Sequence, residues 1–175
     1  IAYLNEIDPV AKKIGAVNTV IQKNKKLIGY NTDLDGISAA LQKIDLKAKK
    51  VLICGAGGAA QAVAYYLSTA SAKIYYYNRT PAKAEELANK FHGTIIAKSQ
   101  LNQDLEIDLI INTTPVGMFP DLEQSPIPLN FIKSHHIVFD LIYNPAETLL
   151  LRHAKAIGAQ TITGLRMFIA QALAQ

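Results

Sequence analysis

Three glycines carry the first chemical signal in this chain. Gly55, Gly57 and Gly58 follow a short apolar run in KKVLICGAGGAA (residues 49–60), and Ala60 stands where a third fingerprint glycine would fall. The G-x-G-x-x-A spacing suits the diphosphate of a dinucleotide. Gly55 permits a tight turn off a strand, Gly57 lets a pyrophosphate approach the backbone, and Ala60 lets the next helix lie close on the sheet. Amides opening that helix then face the diphosphate, and the helix dipole favours its negative charge. The flanks agree. Residues 51–54 read as a buried strand, and Ala60, Val63, Ala64 and Leu67 recur on one helix face.

About twenty residues further on, a NAD site places an acid on the ribose 2′-hydroxyl. Here the second predicted strand ends in Asn78-Arg79-Thr80, with no carboxylate. The planar fork of Arg79 pairs with a 2′-phosphate that a carboxylate would repel, so the residue types favour NADP. Asn-Arg-Thr-Pro also reads as a helix start, with Thr80 as N-cap and Pro81 at the first helical position. Capping uses Thr80 and leaves Arg79 available, so both readings stand together.

Three other segments carry groups suited to a small polar ligand. Ile14-Gly-Ala-Val-Asn18-Thr19 offers an amide and a hydroxyl, Gly29-Tyr-Asn31-Thr32-Asp33 a carboxylate at a strand end, and Gly164-Leu-Arg-Met167 to Gln171 opens the last helix. Met167 and Gln171 share a face there. Each has a plainer alternative: Asp33 as a helix cap, Asn18 as a turn residue, Met167 as core and Gln171 as a boundary side chain. His135 and His136 read as surface residues, and His92 and His153 lack partners at ligand spacing, so no metal site is expected.

The elements that must position these groups are legible from periodicity. Strands are expected at 50–54, 72–77, 94–97, 107–112, 137–141 and 159–163, and helices at 58–68, 81–91, 146–157 and 165–174. Alternating elements with near-continuous apolar strands predict an α/β fold, a doubly wound parallel Rossmann-type sheet in the order 3-2-1-4-5-6. Before it lie a helical pattern through Ile7, Val10, Ala11 and Ile14, a hairpin of 16–22 with 26–30, and a helix at 34–42 capped by Thr32 or Asp33. Residues 114–128 form a long loop after the fourth strand of the parallel sheet, where ligands of such sheets bind.

Composition narrows the classes. Half of the 175 residues are hydrophobic, 18% are charged, and the net charge is +4 with lysines scattered. No clustered basic face points to nucleic acid, and no apolar run is long enough for a membrane span. The lone Cys54 sits at a strand end as packing in a reducing, cytoplasmic setting.

Taken in order, IGAVNT, NTDLDG, GAGGAA, NRT, NTTPVGM, DLIYNP and TGLRMFIAQA resemble the shikimate dehydrogenase family from about Asp8 to Ala172. The resemblance implies NADP-dependent, reversible reduction of 3-dehydroshikimate to shikimate, on the route to chorismate and aromatic amino acids. It implies that Asp33 is catalytic, and that Asn18, Asp33, Tyr143 and Gln171 bind substrate. It further implies that Gly55, Gly57, Gly58 and Ala59 hold the diphosphate and that Asn78, Arg79 and Thr80 clamp the 2′-phosphate. Thr113, Ile142, Gly164 and Met167 are implied near the rest of the cofactor. The family acts on a small molecule, as a monomer or homodimer.

The pattern also departs from that family. Its catalytic lysine lies in a segment like V-T-x-P-x-K, and no such segment occurs among these residues. The serine pair for the substrate carboxylate is absent as well, and Leu34 stands where many relatives carry glycine. The expectation is therefore the C-terminal two-thirds of the enzyme, inactive alone: residues 1–32 from the substrate domain, 33–163 the NADP domain, and 164–175 a returning helix. A non-catalytic NADP-binding relative and a quinate/shikimate dehydrogenase are the alternatives.

Overall fold

In the computed structural model, which describes residues 2–103 and 105–175, a three-stranded sheet precedes a six-stranded one. The first contains β1 (Glu6–Ile7), β2 (Thr19–Lys23) and β3 (Lys26–Tyr30), with helix α1 (Pro9–Ile14) between β1 and β2. β2 and β3 form a hairpin closed at Lys23 opposite Lys26. Its two turn residues, Asn24 and Lys25, have φ of 51° and 63°, the twist that a two-residue hairpin turn demands.

Ile7 is not on a helix face as its spacing predicts. It pairs in parallel with Gly29 of β3. The helix begins two residues later because the Asp8 carboxylate accepts from the Val10 and Ala11 amides at 2.9 and 3.2 Å, and Pro9 occupies the first helical position.

Helix α2 (Asp33–Leu41) leads into the alternating region: β4 (Lys50–Cys54), α3 (Gly58–Thr69), β5 (Lys73–Tyr77), α4 (Pro81–Phe91) and β6 (Thr94–Ile95). Then come β7 (Leu109–Asn112), β8 (Ile137–Asp140), α5 (Leu149–Ala156), β9 (Gln160–Ile162) and α6 (Gly164–Leu173). The sheet runs β6-β5-β4-β7-β8-β9 with every pair parallel. Counting β4 as the first strand, this is the predicted 3-2-1-4-5-6 order, a doubly wound Rossmann-type sheet.

Side-chain alternation along β4 builds a core on each face. Val51 and Ile53 pack with Ile37, Ala60, Val63, Leu87 and Phe139 on one side. Leu52 and Cys54 pack with Leu101, Phe131, Leu150 and Ala154 on the other. Cys54 is fully buried, and burial pushes its thiol far up, so it is the inert packing residue expected.

Four local differences from the sequence reading have physical causes. The helix expected at 146–157 starts at Leu149 because the Thr148 hydroxyl caps it, accepting from the Leu151 amide. The strand expected at 94–97 pairs only at Thr94 and Ile95 before a 3-10 turn at Lys98–Asn102. A second 3-10 turn, Leu129–Phe131, and the first put Phe131 and Leu101 in the core, and both are too short to leave a periodic signal. His136 is not a surface residue but 4% exposed, since its Nδ1 accepts from the Lys133 amide at 3.0 Å, whereas His135 is exposed. Among the described residues, no helix is long and apolar enough to cross a membrane.

Candidate functional site

The carboxyl ends of β4, β5 and β7 surround a cleft of about 240 Å³. Gly55 leaves β4 with φ of 113°, and a Cβ there would run into the Thr113 hydroxyl, so the turn accepts only glycine. Thr113 itself is held over the end of β4, its hydroxyl and amide both donating to the Cys54 carbonyl at 2.7 and 2.9 Å. Gly57 is the N-cap of α3, with Gly58 and Ala59 as the first two helical residues. A Cβ on Gly57 would meet nothing within 4 Å, because that direction opens into the cleft. Ala60 is fully buried against the sheet, as the fingerprint requires.

The opposite wall comes from the β5–α4 turn. Asn78 donates to the Thr80 carbonyl at 2.8 Å and shapes that turn. Thr80 is the N-cap, yet its side chain makes no capping bond, while Pro81 sits at the first helical position. Arg79 and Lys83 both line the cleft and are exposed, and neither is in an ion pair among the described residues. Lys83 and Thr114, which completes the lining beside Thr113 and Pro115, went unnoticed in the sequence. The signal for Lys83 was its place in the first turn of α4, where a cation opposes the helix dipole unless an anion stands near. Open space above Gly57, helix-opening amides and two unneutralised cations together suit an anionic dinucleotide.

A second group converges where α2 meets α6. The Asn18 amide donates to Asp33 Oδ1 at 2.8 Å and to the Thr32 hydroxyl at 3.1 Å. Asn18 Oδ1 in turn accepts from the Thr32 amide at 3.0 Å. The Thr32 hydroxyl lies 3.3 Å from Gln171 Oε1, which brings residues 18, 33 and 171 into one polar cluster. Thr32 is the member that sequence reasoning treated only as a cap, and it makes no capping bond. Asp33 does not cap α2 either; its amide donates to Asn31 Oδ1, and its carboxylate faces Asn18. Burial holds the Asp33 carboxyl above its ordinary value, against the Asn18 hydrogen bond, which lowers it. Among the described residues, no three His, Cys, Asp or Glu side chains are grouped to hold a metal ion.

The strand-end edge continues from the cleft toward this cluster. Ile142 is buried beyond β8, followed by exposed Tyr143, whose ring stacks on Phe168 of α6 at 4.1 Å and 19°. Phe168 also accepts from the Gln171 side chain at 3.1 Å, so Tyr143 reaches the cluster through α6 rather than directly. Gly164 starts α6 hard against the Leu141 carbonyl, where a side chain would collide. Met167 is 7% exposed and packs on Gly36 of α2, in the main core.

Residues 38–117 match the sequence model of the shikimate / quinate 5-dehydrogenase family. A shikimate dehydrogenase (NADP(+)) of Bacillus cereus is 44% identical over 178 residues, 97% of this chain. The crystal structure of shikimate dehydrogenase from Aquifex aeolicus superposes with a TM-score of 0.89 at 38% identity, covering 99% of this chain and 65% of that one. The Thermus thermophilus enzyme, crystallised with NADP(H) and shikimate, gives 0.86 at 39%, covering 97% and 64%. The chain spans 64% of the length of the Bacillus cereus relative. With the predicted sheet order, the glycine turn and the converging polar residues in place, the chain is similar to shikimate dehydrogenases along nearly its whole length.

Proposed function

We propose that this chain supplies the NADP site and part of the substrate site of a shikimate dehydrogenase, which interconverts 3-dehydroshikimate and shikimate. The observation that carries the reading is the convergence of Asn18, Asp33 and Gln171 around Thr32, because a pure cofactor module has no use for it. In this reading residues 33–163 form the cofactor unit, 1–32 belong to the substrate side, and 164–175 return to it.

Gly55, Gly57, Gly58 and Ala59 would hold the diphosphate, and Asn78, Arg79, Thr80 and Lys83 the 2′-phosphate. Thr113, Ile142, Gly164 and Met167 would shape the nicotinamide side. When bound, the nicotinamide supplies the hydride acceptor or donor for the carbinol carbon. Asn18 and Gln171 orient substrate hydroxyls, and Tyr143 covers the substrate from the β8 side. Asp33 hydrogen-bonds the reacting hydroxyl, and its raised proton affinity suits it to share that proton. Its expected lysine partner, in V-T-x-P-x-K, is not among these 175 residues. We therefore take the chain by itself to bind NADP with little turnover.

The test is NADP titration of the chain, alongside NADP-dependent oxidation of shikimate and of quinate. We expect NADP binding, and shikimate turnover only when the lysine-bearing segment is supplied. Full turnover by the 175 residues would overturn the assignment of that lysine, and absence of NADP binding would overturn the reading itself.

A further inference from the structure

Asp140, at the end of β8, is fully buried and carries a role that neither the cleft nor the polar cluster explains. Its Oδ1 accepts from the Asn112 side-chain amide and from the Ile142 backbone amide, each at 3.0 Å. Its Oδ2 accepts from the Thr148 hydroxyl at 2.6 Å. Beyond these partners the network divides in two. Asn112 Oδ1 receives the Thr114 amide and hydroxyl at 3.0 and 2.7 Å, and the Asn112 amide reaches the Val116 carbonyl at 3.3 Å. On the other side, Thr148 caps α5, and the Ile142 amide fixes the exit of β8 just before Tyr143.

We propose that Asp140 is a positioning residue for the dinucleotide, its carboxylate clamping the loop after β7 to the loop after β8 so that Thr113, Thr114 and Ile142 stand in binding geometry. This rests on the NADP reading of the cleft. Asp140 is shut away from solvent and acts only through others, so it is not a catalytic residue. Packing alone does not call for a charge here, since an apolar side chain fills a core at lower cost. Three donors converging on one group do call for it, because only an ionised carboxylate accepts from all of them with no donor of its own. Burial pushes its carboxyl up to about 6, so the charge is retained at neutral pH against a desolvation cost. The titratable group facing it is the Cys54 thiol on β4, itself pushed up by burial and by Asp140, and neutral throughout this range.

The experiment compares Asp140→Asn with the wild-type chain by NADP titration at several pH values and by amide hydrogen exchange without cofactor. Asn has the same size but puts an N–H toward at least one of the three donors. We expect NADP to bind at least about tenfold more weakly at pH above 7. That ratio should shrink toward one as the wild-type carboxyl protonates through about 6. Dividing the two affinities cancels the titration of the cofactor's own phosphate. In the free protein, amides of Thr113, Thr114, Val116, Ile142 and Tyr143 should exchange faster in the variant.

Thr148→Val removes one donor and Thr148→Ser restores it, which keeps the test open if Asp140→Asn fails to fold. Valine should weaken NADP binding and serine should match wild type. Ala154→Gly, a buried change on α5 away from the cleft, is the control for lost stability and should leave NADP affinity unchanged. Equal affinities at neutral pH, a ratio that ignores pH, or weakening by Ala154→Gly equal to that by Asp140→Asn overturns the inference while the cleft reading stands. A wild-type chain that binds no NADP overturns both.

Discussion

Removing the Arg79 guanidinium separates the two cofactors that the glycine turn alone does not distinguish. Arg79 stands at the exposed mouth of the cleft and pairs with no carboxylate among the described residues, so its charge is available to a ligand. A charge-assisted hydrogen bond to phosphate contributes about 1.5–3 kcal/mol. The lower half of that range applies to Arg79→Ala, because the site is solvated and Lys83 lines the same cleft. About 2 kcal/mol corresponds to roughly a thirtyfold weaker Kd for NADP. NAD carries no 2′-phosphate and should change by less than about twofold, since the diphosphate turn is untouched. Because the Arg79 side chain makes no hydrogen bond among the described residues, the melting temperature should stay put, so the change in binding is read without a stability correction. Calorimetric titration with both nucleotides at low and moderate salt measures this, and the NADP effect should diminish as salt rises. Equal losses for NADP and NAD, or an NADP loss below about threefold, would refute the 2′-phosphate role.

Other perturbations test the remaining parts. Asp33→Asn, in a protein that includes the expected lysine segment, should lower kcat by about two to four orders of magnitude with NADP affinity unchanged. A large fall in melting temperature with normal turnover would instead make Asp33 structural, against its lack of a capping bond. Gly36→Ala places a Cβ 2.6 Å from the Met167 carbonyl and 3.2 Å from Gln171 Cβ, so α2 and α6 must separate. We expect about 1–3 kcal/mol lost in urea unfolding, together with a higher KM for shikimate in a protein that includes the expected lysine segment. An unchanged unfolding midpoint would contradict that close approach. Asp140 also predicts a pH dependence of stability. Its carboxyl rises from 3.8 to about 6 on folding, so between those values the native state holds a proton that the unfolded chain has released. Stability is then fully present below 3.8 and falls as pH rises through about 6, a loss of about 3 kcal/mol. Asp33 is raised too, so the quantity to measure is wild type minus Asp140→Asn, by urea unfolding at each pH. A flat difference would exclude the effect.

The parallel sheet was legible because its strands are apolar on both faces and alternate with helices of clear period, as with Val51 to Cys54 and Ala60 to Leu67. Short elements were not. Two residues of β1 and the two 3-10 turns offer too few positions for any period to emerge. Ile7 belonged to the apolar spacing of a helix and was claimed instead by pairing with Gly29, a partner more than twenty residues away. His136 looked polar and exposed, and the backbone of its own turn recruited the ring as an acceptor. Lys83 was visible as a cation in the first turn of a helix, but one exposed lysine there is ordinary.

Read alone, the chain determined which residues can turn tightly, stack, cap or carry charge. Gly55 must leave its strand at positive φ, Arg79 must present a fork at the end of the next one, and the strands must lie in a buried parallel sheet. These are properties of single residues and of local period, and they survive any arrangement of the rest. Tertiary structure decided what those residues face. Asn18, Asp33 and Gln171 are separated by up to 153 positions: the β2–β3 hairpin brings Asn18 to Asp33 and Thr32, and the packing of α2 on α6 through Gly36 and Met167 brings Gln171 to the Thr32 hydroxyl. The charge of Asp140 likewise acquires its meaning from Asn112 and Thr148, which no spacing rule connects. Hydrogen bonds act over about 3 Å in space and are indifferent to distance along the chain.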